Sequence, residues 1–260
     1  MRKSTSDSTI LRHVCGTLLT IGLGLGFSSV ASAGLIHLWE ANGDATDSVG
    51  GVDGTLAAGV TYAAGFDGQA FSFDGQGGLF SANVDISPSN FGAITFGAWV
   101  NIASVPNNRG WVIGHDNGGY DRSISLHDSR FSGSNIKPAA GVGKTYTSTL
   151  ADLTLNEWKF VAASYQGNGQ TTTVYFDGQS QEVLGTNNSN GNSFFTVGGL
   201  STYAGHQING LVDNIFIYDR ALSVAELRNI EANGLPVPAP ATLALIGLGL
   251  AGLGWQRRRS

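Results

Sequence analysis

The sequence predicts an all-β fold, a sandwich of two antiparallel sheets with one short helix at its C-terminal end. Short apolar or alternating runs are separated by turn residues; they cover residues 69–73, 94–100, 158–165, 171–176, 193–197 and 210–218. Helical periodicity is absent until residues 223–232, and Gly accounts for 38 of the 260 residues. Runs of this length at this spacing are typical of β-sandwiches.

Two local signals mark the ends of predicted elements. Asp177-Gly178 lies between two apolar runs and predicts a tight type I′ hairpin, because both central residues of that turn need positive φ. Ser223 and Glu226 form a capping box, in which each side chain can bond a backbone amide at the helix start. Asn233-Gly234 then provides a C-terminal stop. The helix is therefore predicted over residues 223–232.

Residues 1–33 have the composition of a secretory signal peptide. Basic residues in the segment 2–12 precede an apolar run at 14–27, and the small-residue triplet Ala31-Ser32-Ala33 follows. These are the three parts of a signal that signal peptidase removes. Cleavage after Ala33 would make Gly34 the mature N-terminus. The alternative is an uncleaved anchor, for which the run is short of the roughly 20 residues that a span needs.

The C-terminal residues 235–260 combine a Pro-rich linker, a short apolar segment and a basic end. The apolar segment 241–255 carries no charge, and Arg257, Arg258 and Arg259 follow it. This order predicts a membrane segment whose basic tail stays on the cytoplasmic side of the membrane. As a helix it would span only about 22 Å, against a hydrocarbon core of about 30 Å. A transient sorting signal tolerates this shortness better than a permanent anchor does.

Val237-Pro238-Ala239-Pro240, the short apolar segment and the arginine cluster together resemble the PEP-CTERM sorting signal of Gram-negative bacteria. Ala239 stands where that family usually has Glu. The resemblance implies processing by an exosortase-type enzyme, a transient stay in the inner membrane, and export to the cell surface or the extracellular matrix. An ordinary tail anchor is the alternative.

Charge and cysteine content limit which ligands, disulfides and metal sites the domain between the two predicted sorting signals could have. Residues 34–234 contain 18 acidic and 8 basic residues, a formal net charge of −10. Such a surface argues against nucleic acid and anionic polysaccharide, and it is compatible with neutral glycans and divalent cations. Cys15, the only cysteine, lies in the predicted signal peptide. Disulfides and thiolate–metal sites are therefore excluded from the mature domain.

Six segments occur in an order that resembles a known fold family. They are residues 38–50 (LWEANGDATDSVG), 65–75 (GFDGQAFSFDG), 96–100 (FGAWV), 157–162 (EWKFVA), 174–178 (VYFDG) and 210–223 (GLVDNIFIYDRALS). The order is similar to the laminin-G-like, concanavalin A-like jelly roll of bacterial surface proteins. The resemblance implies a jelly-roll domain over residues 34–234, with two sheets face to face and the first and last strands side by side.

The sequence argues against an enzyme. Glycosidases of this fold resemble one another in a strand motif Glu-x-Asp-x-x-Glu, which supplies the two close carboxyl groups of retaining hydrolysis. The motif is absent here, and the only two neighbouring glutamates, Glu226 and Glu231, lie on the predicted helix. No G-x-S-x-G nucleophile elbow is present either. We therefore predict no catalytic residues.

An acidic cluster predicts a candidate metal site. Glu40, Asp44 and Asp47 follow the first predicted strand, and Asp213 lies on the last one. Carboxylate oxygens suit Ca²⁺, and the resemblance implies a structural Ca²⁺ between the first and last strands, as in glucanase relatives. The alternative is that Asp44 and Asp47 bond their own backbone and form turns.

A polar loop with two flanking aromatic residues predicts a candidate ligand site. Trp111 and Tyr120 flank a stretch that contains Asp116 and Asn117, a composition suited to binding a neutral sugar. The alternative is that Trp111 begins a buried strand, because large aromatic residues are mostly buried. The tryptophans in the other apolar strands are predicted to be core residues: Trp39, Trp99 and Trp158.

Two functional hypotheses follow from these sites, and a third, a glycoside hydrolase, is the least favoured because the strand motif is absent. The first is an exported binding module of the cell surface or matrix that recognises an extracellular polysaccharide or a surface protein. The second is a structural matrix protein, in which the jelly roll is a spacer without a small ligand. Fold alone does not choose between them.

Overall fold

The computed structural model describes residues 34–105, 110–115, 121–126, 137–142, 148–167, 170–185, 194–200 and 205–236. Within these residues the chain forms two antiparallel β-sheets and one α-helix, which confirms the predicted sandwich. The predicted signal peptide, residues 1–33, and the predicted tail beyond Pro236 lie outside the described residues.

The larger sheet has eight strands and contains both the first and the last strand of the domain. In chain order its strands are β1 (Leu35–Trp39), β3 (Thr61–Ala64), β4 (Gln69–Asp74), β6 (Ile94–Ser104), β10 (Trp158–Tyr165), β11 (Thr171–Phe176), β12 (Gln179–Leu184) and β14 (Asn209–Tyr218). They are arranged β12-β11-β10-β6-β14-β4-β3, and β1 pairs with the second half of β14. The first and last strands are therefore adjacent, as the resemblance implied.

The smaller sheet has six strands and covers one face of the larger sheet. In chain order they are β2 (Thr55–Leu56), β5 (Phe80–Ala82), β7 (Gly110–Gly114), β8 (Ser123–Leu126), β9 (Pro138–Gly141) and β13 (Phe195–Val197). Their arrangement is β2-β5-β13-β7-β8-β9.

The main core lies between the two sheets, and strand alternation decides which side chains enter it. On β6, Phe96, Ala98 and Val100 are fully buried in this core. The ring of Phe96 meets that of Phe195 from the smaller sheet with centroids 5.8 Å apart. Successive side chains of a strand point to opposite faces. Trp99 consequently lies on the outer face of the larger sheet, where it joins a second apolar cluster.

This outer face is partly covered by helix α1 (Val224–Asn233). Leu227 and Ile230 of the helix belong to the second cluster, together with Trp99 and Tyr175 of the sheet. Ser223 caps the helix, and the predicted capping box with Glu226 is present. The strand face that α1 leaves uncovered provides one part of the candidate site described below.

Candidate functional site

The loop after β1 is built around the carboxylate of Asp47, whose side chain is fully buried. Its Oδ1 atom accepts hydrogen bonds from the backbone amides of Leu38, Val49 and Gly50 at 3.0, 3.1 and 2.9 Å. Its Oδ2 atom accepts a bond from the Val52 amide at 3.0 Å and lies 2.6 Å from Nδ1 of His37. One side chain thus holds β1 and the following loop together.

The electrostatics of Asp47 follow from these bonds. Burial alone would raise its pKa, but the bonds from His37 and from the amides of Leu38, Gly50 and Val52 outweigh burial and hold the pKa well below its usual range. Both carboxylate oxygens are engaged by protein donors. This geometry matches the turn-forming alternative for Asp47.

Asp213 occupies a different environment at an irregularity of β14. The register of β14 against β6 shifts after Asp213, and Asn214 has a positive φ of 48°. The Asp213 side chain is buried; Oδ2 accepts the Asp67 amide at 2.9 Å and Oδ1 accepts the Asn214 amide at 2.7 Å. Burial is the main influence, and it raises the pKa of Asp213 to about 6. This is a buried carboxylate whose ionised form is only partly compensated.

The other two predicted metal ligands are less engaged. Asp44 is exposed and accepts the Thr46 amide at 2.9 Å, a local turn contact. Glu40 is half-buried directly after β1. Among the described residues, no group of three or more His, Cys, Asp and Glu side chains could hold a metal ion. Of the predicted set, Asp213 is buried and, like Asp47, has both carboxylate oxygens bonded to backbone amides.

Trp111, the predicted sugar-binding aromatic, is fully buried on β7. Its ring Nε1 donates to Oγ1 of Thr196 at 3.1 Å, and its backbone amide donates to the His206 carbonyl at 2.7 Å. A ring in this position has no face open to a sugar, which matches the buried-strand alternative. Asp116, Asn117 and Tyr120 lie outside the described residues.

A large aromatic ring is exposed elsewhere, on the turn between β3 and β4. Phe66 is 47% exposed. Its ring stacks on Trp99 with centroids 5.0 Å apart and planes 21° apart, and it meets Trp158 edge-on at 6.1 Å. Trp158 was predicted to be a core residue, but it is only half-buried, because it lies at the first position of β10 on the outer face, at the margin of the second apolar cluster.

Polar residues lie beside these rings on the same face. Asn101 of β6 pairs with Trp158 on one side and with Leu211 of β14 on the other, and Leu211 pairs with Ser72 of β4. Core residues flank Asn101, Leu211 and Ser72 along their strands, and Trp158 lies directly opposite Asn101, so the four side chains share the outer face. All four are partly exposed. We call Phe66, Trp158, Asn101, Leu211 and Ser72 the outer strip.

Sequence reasoning missed the outer strip. A signal was available in Gly65-Phe66-Asp67-Gly68, where a large apolar residue sits inside a glycine-bracketed turn that should face water. The strand residues gave no such signal, because only the pairing of the strands brings them to one face.

The C-terminal sorting residues lie outside the described residues: Val237, Pro238, Ala239, Pro240, Arg257, Arg258 and Arg259. The predicted membrane segment 241–255 does so too. In the part of the chain that the structure describes, no helix has the length and apolar character needed to cross a bilayer.

Two known families match this chain, one over the β-sandwich domain and one over the C-terminal tail. A laminin-G-type family, described as the concanavalin A-like lectin/glucanases superfamily, matches residues 73–228, more than half of the chain. The PEP-CTERM protein-sorting motif matches residues 236–259. A search of curated protein sequences gave no match.

Solved structures with the same fold come from several kinds of protein. Domain 4 of AbnA, an extracellular arabinanase from Geobacillus stearothermophilus solved with arabinotriose, has a TM-score of 0.60 at 22% identity, over 76% of this chain and 98% of that domain. Trypanosoma rangeli sialidase has a TM-score of 0.57 at 21% identity, over 76% of this chain and 32% of the sialidase.

The binding domain of Paraclostridial Mosquitocidal Protein 1 has a TM-score of 0.56 at 16% identity, over 76% of this chain and 51% of that one. At these identities the similarity of all three establishes the fold alone.

Proposed function

This chain belongs to the concanavalin A-like lectin/glucanase superfamily, and from that premise we propose that it is an exported, non-catalytic module that binds a neutral extracellular glycan. Its PEP-CTERM motif marks it as an exported protein sorted by way of the membrane and implies processing by exosortase-type machinery. We propose the following route of export. Signal peptidase cleaves after Ala33, the tail holds the chain briefly in the inner membrane, and the domain reaches the cell surface or matrix of a Gram-negative bacterium.

The placement of carboxylates carries the non-catalytic part of the proposal. Retaining glycosidases need two carboxyl groups about 5 Å apart. No described strand carries two acidic residues, and the residues opposite the strand carboxylates are not acidic. Asp74 faces Asn209, Glu182 faces Thr173, and Asp213 faces Trp99. The described strands therefore carry no such pair within a strand or directly across from one another, and this supports the proposal of binding without cleavage.

Net charge and fold support a neutral glycan as the ligand class. The charge of −10 on residues 34–234 repels anionic polymers. One protein with this fold, the arabinanase domain, was solved with a bound neutral oligosaccharide, arabinotriose. The fold is therefore compatible with sugar binding, and the charge of this chain favours uncharged sugars.

A structural Ca²⁺ is also part of the proposal. Asp213 and nearby backbone carbonyl groups of the same chain would hold the ion, because a cation beside the buried Asp213 carboxylate would offset the cost of burying its negative charge. Such an ion would contribute to stability and would not take part in chemistry.

The binding proposal is tested by affinity electrophoresis of the full chain, purified in mild detergent, through gels containing arabinan, galactan, xylan or dextran. We expect at least one polysaccharide to retard the protein while the same mixture releases no new reducing ends in solution. Release of reducing ends would identify a hydrolase instead. Unchanged mobility in every gel would contradict glycan binding and favour the spacer hypothesis.

The sorting part is tested by deleting residues 236–260, which contain the matched motif. Fractionation of the producing cells should then find the domain released from the membrane fraction. A truncated protein that stays with the membrane would contradict the role assigned to the tail.

A further inference from the structure

The β3–β4 turn presents a large aromatic ring to solvent while its backbone is firmly held. The Gly65 amide donates to the Gly68 carbonyl at 3.0 Å, and the Asp67 amide donates to the buried carboxylate of Asp213 at 2.9 Å. The Gln69 amide donates to the side chain of Asn42 at 2.9 Å. Phe66 is therefore carried on a turn that is tied to two other parts of the domain.

Glycine is needed at both ends of this turn. A Cβ atom at Gly65 would come within 2.7 Å of Oδ2 of Asp213, and Gly68 has a positive φ of 71°. The turn can therefore lie directly on Asp213 only because Gly65 and Gly68 have no side chains. This close approach places the Phe66 ring over Trp99, two strands away from the turn.

We propose that the outer strip is a sugar-binding surface, in which the exposed face of Phe66 stacks on the apolar face of a neutral saccharide, Trp158 contacts the edge of the sugar, and Asn101 and Ser72 bond its hydroxyl groups. This inference rests on the proposed glycan-binding function and assigns it to a place that differs from the loop near Trp111. One face of the Phe66 ring packs on Trp99, and the ring keeps 47% of its surface in water. Aromatic faces bind apolar C–H groups by dispersion and weak hydrogen bonds.

The size of the strip favours a small occupant over a second protein. An aromatic side chain presents about 200 Å² in total, so the exposed part of Phe66 amounts to about 100 Å². Stable protein–protein interfaces bury about 800 Å² on each partner. Two partly exposed rings with a few polar neighbours match one or two sugar rings.

Polarity and charge favour an uncharged saccharide. The Asn101 amide can donate and accept, and the Ser72 hydroxyl can do both as well. Asp67, next to Phe66, is exposed and adds a carboxylate that accepts bonds from hydroxyl groups but repels anions. A sugar with free hydroxyl groups and no charge satisfies all of these groups.

The test uses the full chain, purified in mild detergent, on an array of neutral oligosaccharides that includes arabino-, galacto-, xylo- and gluco-oligosaccharides. Phe66→Ala and Trp158→Ala should each weaken binding to the recognised sugar about tenfold or more, the scale at which an anchoring aromatic contributes. Phe66→Tyr keeps the aromatic ring, so this variant should bind the sugar about as tightly as the unchanged chain does. Phe194→Ala is the matched control, because Phe194 is 52% exposed outside the strip, and it should bind as the unchanged chain does.

Intrinsic fluorescence separates binding from folding. The recognised sugar should shift the tryptophan emission of the unchanged chain, and Trp158→Phe should still bind while losing most of that shift.

If Phe66→Ala and Trp158→Ala retain full affinity, the outer strip is not the site, although the glycan-binding function stands. If the unchanged chain binds no neutral sugar on the array, both proposals are wrong.

Discussion

At the scale of single residues, the carboxylate of Asp47 shows how one side chain can organise a loop. It accepts bonds from four backbone amides and contacts His37, all without exposure to water. Charge-assisted bonds of this kind are the strong ones, and a buried donor left without its acceptor is costly. Because its folded pKa is depressed, Asp47 contributes stability above the unfolded pKa of about 4 and loses that contribution as pH falls further.

We expect Asp47→Asn to lower the free energy of unfolding by about 3 kcal/mol, because the amide group turns a hydrogen-bond donor toward the backbone N–H groups. Urea denaturation at neutral pH measures the change. Asp44→Asn is the matched control, since Asp44 makes one local contact and is exposed, and its cost should stay below about 1 kcal/mol. Equal effects of the two substitutions would contradict the central role of Asp47.

Asp213 should influence stability with the opposite pH dependence. Its folded pKa is raised to about 6 by burial, above the unfolded value. Its ionisation therefore costs the folded state more than the unfolded one. The stability from this group is present below about pH 4 and is lost as pH rises through the folded pKa.

In chelator, the unfolding free energy of the unchanged chain relative to Asp213→Asn should be about 1 kcal/mol higher at pH 5 than at pH 7.5. Denaturant titrations of both proteins at the two pH values give this difference. A difference that is independent of pH, or that decreases on acidification, would show that burial of Asp213 does not disfavour its charge.

At the scale of elements, helix α1 closes one end of the outer face and leaves the outer strip open. Leu227 is fully buried in the second apolar cluster, so Leu227→Ala removes packed atoms and leaves a cavity. We expect a loss of about 3 kcal/mol, seen as a lower thermal midpoint. Asn229→Ala on the exposed side of the helix should change stability by no more than about 0.5 kcal/mol. Similar effects at both positions would mean that the helix does not pack as described.

Local chemistry made several elements predictable from the sequence. The turn at Asp177-Gly178 has positive φ at both residues, 45° and 80°, as its composition predicts. The capping box defines the start of α1 in the same way. These signals depend on residues close in sequence, where backbone preference decides the outcome.

Other features depended on contacts that sequence patterns do not reveal. Trp158 lies in an apolar strand, yet it is half-buried because it is at the start of β10, at the margin of the outer apolar cluster. Arg122 is fully buried and donates to the carbonyls of Ile86, Phe91 and Gly92, without any local sign of that role. The outer strip combines residues from a turn and several strands, so only the sheet order brings it together.

At the scale of the whole molecule, the domain must remain compact against a formal net charge of −10 and without a disulfide. Like charges repel and oppose compaction. The two ends of the domain meet where β1 pairs with β14. Asp213 lies on β14 under the β3–β4 turn, so a change at this carboxylate acts on β14 and on the turn that carries Phe66.

A cation bound at Asp213 should therefore stabilise the whole domain. An ion that binds only the folded state contributes about 2.7 kcal/mol at a hundredfold excess over its Kd, and each kcal/mol shifts the midpoint of a domain of this size by roughly 2–4 °C. Saturating Ca²⁺ should raise the thermal midpoint by about 5–10 °C over chelator, whereas Mg²⁺, which demands octahedral geometry, should raise it much less. Calorimetry of the full chain measures the shift, and Asp213→Ala should abolish it while Asp44→Ala leaves it largely intact. A midpoint that chelator leaves unchanged would mean that Asp213 holds the β3–β4 turn through its hydrogen bonds alone, with no ion involved.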